Sequence, residues 1–159
     1  MTQDKKQIKA TYPLPIYNYR VTVLTSGAPL VLGFAEISGL NIEYEPVTYR
    51  HGLSFLTGVQ IIPGMRQPTR LILKRGVVKN QAQLYQWLQS TATDLNLGQI
   101  KRDILIDLCD ETGKSVIRWT VQGALPTKLD APTFDANSNE VAIETLELTA
   151  HGLQVDYQP

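Results

Sequence analysis

Few side chains in this sequence have the chemistry to act as catalysts or metal ligands. Among 159 residues there are two imidazoles, His51 and His151, and one thiol, Cys109. That set is too small for a soft-metal site and cannot form an internal disulfide. Each histidine precedes a glycine, Gly52 or Gly152, so a turn or interface role is expected of both rather than general base work. Cys109 closes the run ILIDLC and reads as a plain thiol, since nothing nearby in sequence would lower its pKa. Asp103, Asp107, Asp110 and Glu111 are the one cluster from which paired carboxylates for glycoside hydrolysis or magnesium binding could arise. On a strand, Asp103 and Asp107 would share a face about 13 Å apart, and Asp110 with Glu111 would fall in a turn. A solvated face is the expectation.

No GxSxG, GxGxxG, P-loop or HExxH pattern occurs, so enzymatic activity and a bound cofactor are not expected. Fifteen Lys and Arg balance fifteen Asp and Glu, giving a formal net charge of zero, which argues against direct nucleic-acid recognition. The first residues carry charge without an apolar core, and no run of 18 apolar residues is present, so neither a secretion signal nor a membrane anchor is expected.

The elements that must position these residues read mostly as strands. Tyr17, Tyr19, Val21 and Val23 alternate with polar residues, and the run from Leu30 to Phe34 is apolar; Leu40, Ile42 and Tyr44 alternate again until Pro46. Residues 69–74 read as a strand. Residues 103–125 read as a hairpin around the polar turn from Asp110 to Lys114, the clearest in the chain. Val141 and Ile143 share one parity but Leu146, Leu148 and Ala150 the other, which suggests a bulge or a strand buried on both faces near Glu144. Leu153, Val155 and Tyr157 make a last strand. One stretch, QAQLYQWLQS, has helical period, with Asn80 and Gln83 as a capping box. The expected fold is mainly β: an antiparallel β-sandwich or partly closed β-barrel with one short flanking α-helix. Residues 1–15, polar and closed by Pro13 and Pro15, form an N-terminal arm; residues 16–159 form one domain.

Residues 46–68 form an extended loop that carries Leu53, Phe55, Leu56, Val59, Ile61, Ile62 and Met65 among Gly52, Gly58, Pro63 and Gly64. A free loop is seldom this apolar. It either folds back on its own domain as a short hairpin or reaches a neighbouring subunit. Charge is also segregated. Arg66, Arg70, Lys74, Arg75 and Lys79 form a basic run, whereas beyond Lys128 the chain has Asp130, Asp135, Glu140, Glu144, Glu147 and Asp156 with no Lys or Arg. Such separation either serves neighbouring strands of one chain or orients a head-to-tail contact between copies.

These residues spell a broader pattern. YPLPIYNYRVTV at 12–23, FAEISGLNIEYEPVTYRHG at 34–52, PGMRQPTRLILKRGV at 63–77, LYQWLQS at 84–90 and the stretch ALPTKLDAPTFDANSNEVAIETLELTAHGL at 124–153 follow one another in the order of a known family. The chain resembles the inner tube proteins of contractile phage tails and extracellular contractile injection systems, the conserved phage-tail-region group. No single word carries the match; the order and spacing over more than a hundred residues do.

The resemblance implies a structural subunit: six copies per ring, rings stacked coaxially into a rigid tube that sheath contraction drives through a target envelope. Its implied partners are further copies of itself, a sheath protein outside, baseplate and spike proteins at one end, and cargo in the lumen. It implies assembly in the cytoplasm of the producing cell and a final place in a phage tail or a released extracellular particle. The N-terminal arm, with Tyr12, Pro13 and Pro15, and the assembly loop, with Tyr49, Leu53, Phe55, Leu56, Val59, Ile61, Ile62 and Met65, are expected between subunits. Arg66, Arg70 and Arg75 are expected to meet acidic neighbours such as Glu140 and Glu144 on adjoining copies. The segment GLSFLTGVQIIPG is longer and more apolar than its counterpart in main tube subunits, which raises the alternative of a first-ring initiator joining the spike base to the tube. A monomeric β-rich binding module is the alternative of another class.

Overall fold

Period-two alternation becomes strand through most of the chain. The computed structural model describes residues 12–93, 100–157 and 159. In chain order the elements are β1 (Tyr19–Val23), β2 (Leu30–Leu32), β3 (Glu36–Ser38), β4 (Tyr44–Tyr49), α1 (Ser54–Thr57), β5 (Gln60–Arg66), β6 (Thr69–Gly76), α2 (Gln83–Thr93), β7 (Arg102–Cys109), β8 (Ser115–Asp130), β9 (Ile143–Ala150) and β10 (Gly152–Asp156). Residues 1–11 of the expected arm lie outside the described residues.

Eight strands join in the order β2-β1-β7-β8-β9-β6-β3, with β10 also paired to β8, and every pairing is antiparallel. The long β8 links two wings. Its first half pairs with β7 and β10, its second with β9, and at the change stands Gly123 with φ 62°, a conformation that costs glycine little. The sheet does not close into a barrel. It ends on the three-residue strands β2 and β3, and short edges limit unwanted pairing.

Alternating side chains from both wings meet in one core. Val21, Val23, Ile104, Ile106, Val121 and Leu153 come from one wing; Leu71, Leu73, Leu146, Leu148 and Ala150 come from the other. Each such Val, Leu or Ile side chain contributes roughly 1.5–3 kcal/mol of burial. Helix α2 closes the core with Leu84 and Trp87. The Trp87 indole donates to the Ile100 carbonyl at 2.7 Å, and the Arg102 guanidinium lies 5.0 Å from its ring centre.

Four sequence expectations change in detail. The helix starts at Gln83, and Asn80 has φ 64°, so Asn80 belongs to a turn before the helix rather than to a capping box. The parity switch near Glu144 is no bulge in β9: Val141 lies before the strand and is exposed, and the register shift falls in β8 between Pro126 and Lys128. Pro46 does not end its strand, because β4 runs through it in a two-stranded ribbon with a register shift between Tyr44 and Pro46; a bulge tolerates the missing N–H. A second helix, the single turn α1, joins the expected one.

Candidate functional site

Most of the residues with reactive chemistry make contacts within the chain. His51 accepts the Leu53 N–H on Nδ1 at 3.1 Å and leans on Tyr49, ring centres 5.9 Å apart, so it shapes the turn into α1. The His151 N–H bonds to the Gln122 carbonyl at the start of β10. Cys109 is a buried free thiol. Asp110 accepts from the Thr112 and Lys114 N–H groups and fixes the β7–β8 turn. Asp103 accepts the Gly123 N–H at 2.9 Å. Among the described residues no group of three or more His, Cys, Asp and Glu could hold a metal.

Asp107 corrects the expected solvated face. It is 2% exposed and accepts from Arg118 at 2.6 and 3.2 Å and from Ser115 at 3.0 Å, with Arg20 at 3.6 Å. Burial pushes its carboxyl up, but the bonds from Arg118 and Ser115 and the charges of Arg118 and Arg20 outweigh this and leave it below the ordinary value. The register supplies the cluster: Asp107 stands opposite Arg20 on β1 and Arg118 on β8.

The basic residues also find partners within the chain. Arg75, 3% exposed, donates through Nε to Glu144 at 2.7 Å and through Nη2 to the Gln81 carbonyl at 2.8 Å; the acidic group expected on another copy faces it across β6 and β9. Arg66 donates to the Leu153 carbonyl at 2.5 Å and ties the end of β5 to β10. Arg70 and Glu140 are exposed.

The segment 44–66 stays uncovered, as do Ile16, Tyr17, Phe134, Val141 and Tyr157 elsewhere. β4 and β5 pair as a separate ribbon, with Val47 opposite Ile62 and Thr48 opposite Ile61, and α1 sits at its tip. Gly64 is required where the strands close, since a Cβ there would collide with the Glu45 carbonyl. The ribbon supplies no residue to the core. Tyr49, Leu53, Phe55, Leu56, Val59, Ile61, Ile62 and Met65 are all exposed, Phe55 by 79% and Leu56 by 71%. The expected apolar loop is thus a hairpin, as one reading had it, but it does not fold back on its own domain. Tyr12, Pro13 and Pro15 are exposed as well. Large apolar side chains scattered singly are usual on a monomer surface, whereas this hairpin carries a run of them.

A family model agrees with the architecture. Residues 15–154 match the T4-like virus tail tube protein gp19. The chain belongs to this tail tube family. Among solved structures, it is similar to a chain of the PVC sheath–tube complex of an extracellular contractile injection system in the extended state: 31% identity, TM-score 0.82, covering 98% of this chain and 99% of that one. A chain of the anti-feeding prophage tube-terminating cap is 34% identical, with TM-score 0.78 and coverage of 92% and 93%. A chain of the six-fold symmetrised anti-feeding prophage baseplate is 25% identical, with TM-score 0.79 and coverage of 92% and 97%. No curated protein matches the chain. As a tail tube family member it has relatives that are structural proteins of contractile injection systems, and among its described residues no helix is long and apolar enough to cross a membrane.

Proposed function

We propose that this tail tube protein is a main subunit of the rigid inner tube of a contractile injection system or phage tail. Six copies form a ring, rings stack coaxially, and the β4–β5 hairpin lies between copies. The resulting conduit is surrounded by a sheath, meets baseplate and spike proteins at one end, carries cargo in its lumen, and passes through the target envelope when the sheath contracts. Its work is mechanical, with no catalytic residue. Assembly takes place in the producing cell, before the particle is released or joins a virion.

One observation carries this reading: an apolar hairpin that the chain does not cover, on a domain similar over nearly its whole length to a chain of a sheath–tube complex. A tube covers that surface in every copy without asking more of the monomer. The exposed arm residues Tyr12, Pro13 and Pro15 are placed between subunits on the same grounds.

Negative-stain microscopy of the purified protein, alone and with sheath and baseplate components, tests the proposal. Hexameric rings or hollow stacks are expected. Monodisperse monomers under every condition would sink it and leave a monomeric binding module. Copy number in the intact particle separates the main subunit, present in many multiples of six, from a first-ring initiator, present as six.

A further inference from the structure

The uncovered hairpin has an apolar counterpart elsewhere on the same chain. Between the rim of the β1–β7–β8 wing and β3 lies a recess of about 360 Å³. Ile16, Ala35, Ile37, Leu40, Ile106 and Trp119 line it, and Glu36 is its one charged residue. Ile37, Leu40 and Trp119 are partly buried margins of the core. The recess is an incompletely covered end of the interior rather than a polar surface dip. We propose that it receives the hairpin tip, Leu53, Phe55 and Leu56, of a second copy of this chain.

The choice of occupant follows from chemistry. The sequence between Arg50 and Arg66 contains no Lys, Arg, Asp or Glu, so the tip brings no charge of its own into the recess. Residues 1–11, in contrast, offer only Met1 and Ile8 as large apolar groups among Asp4, Lys5, Lys6 and Lys9. Glu36 at the recess is already matched within the chain by Lys74 at 3.5 Å, so the apolar character of tip and recess carries the choice. A ribbon of six or seven residues per strand projects its tip by roughly 20 Å, enough to cross to a neighbour. A projecting apolar tip and an apolar recess at different places on one chain make a heterologous contact, which closes into a ring or propagates along an axis. Each copy then gives one tip and receives another.

This inference rests on the tube reading, and the experiment separates the two. In a Cys109→Ser background, Phe55→Cys is combined in turn with Ile16→Cys, Ile37→Cys and Leu40→Cys, and assembled particles are oxidised and run on a denaturing gel without reductant. A disulfide demands Cα atoms within about 7 Å. At least one pair is expected to give a ladder of multimers that each single-cysteine variant lacks. Particles that assemble normally while all three pairs stay monomeric on the gel overturn the inference and leave the tube reading intact. If wild-type protein forms no particles, both fail.

Intrinsic fluorescence decides the matter should the cysteine variants not assemble. The chain has two tryptophans. Trp87 is already buried at 2% exposure, whereas Trp119 lines the recess. Assembly of wild type is expected to shift the emission to the blue, and Trp119→Phe to abolish the shift; an unchanged spectrum on assembly overturns the proposal. Phe55→Ala is expected to raise the concentration needed for assembly by about tenfold or more.

Discussion

At the residue scale, the charges that suggest contacts between copies are largely committed inside one chain. Asp107 is held below the ordinary carboxylate value chiefly because Arg118 and Ser115 bond to its charged form and outweigh its burial. The unfolded chain therefore binds this proton at a higher pH than the folded one. The stabilisation is fully present above the ordinary carboxylate value of about 4 and disappears as pH falls through the lower folded value. Urea unfolding of the unassembled subunit between pH 2 and 7 checks this: Asp107→Asn should cost about 2–3 kcal/mol at pH 7 and flatten the acid limb. Equal stability of variant and wild type across that range would contradict it. The Arg75–Glu144 pair makes a second prediction. Glu144→Ala leaves Arg75 buried without its carboxylate and should cost about 3 kcal/mol, whereas Arg70→Ala, on the surface, should stay within about 0.5 kcal/mol. Thermal melts of the two variants distinguish a charge pair within the chain from one between chains.

At the scale of elements, the β4–β5 ribbon and the core are energetically separable. The ribbon's side chains are exposed and none belongs to the core, so they contribute little to folding of the isolated subunit. Replacing Leu53, Phe55 and Leu56 together by Ser should leave the unfolding midpoint of the unassembled subunit nearly unchanged, within about 0.5 kcal/mol, while removing rings and stacks from micrographs. A marked loss of monomer stability would mean that the tip packs on its own domain after all. The pattern of this ribbon was only partly legible in the sequence. Its excess of apolar residues is plain, but the alternation at Leu40 and Ile42 suggested a strand that begins only at Tyr44, and Pro46 looked like a strand end. A two-stranded ribbon has a free side at each strand, so a proline costs it less than it would cost a central strand. Sequence periodicity does not show which strands are central.

At the scale of the whole molecule, net neutrality takes on a different meaning. Zero charge weakens the repulsion that keeps soluble monomers apart, and the uncovered surface is apolar. Assembly by such a surface should depend weakly on screening salt and be favoured by sulfate. Light scattering in sodium chloride from about 0.05 to 0.5 M, roughly a threefold change in Debye length, should show assembly retained; dissolution over that range would restore the reading in which basic and acidic segments of different copies meet.

The sequence by itself determined the fold class, the hairpin at residues 103–125, the excess of apolar side chains at 46–68, and a resemblance that the family match bears out. Those are properties of residue type and local period, which a single chain displays one residue after another. Only the tertiary structure decided which carboxylate is buried, which arginine is already paired, and that the apolar loop stands as an uncovered ribbon facing outward. Asp107 meets Arg20 and Arg118, and Arg75 meets Glu144, because of strand register between segments up to 87 residues apart in sequence. Register is set by how whole strands pack into a shared core, so partners across it are not visible from the spacing of either residue alone.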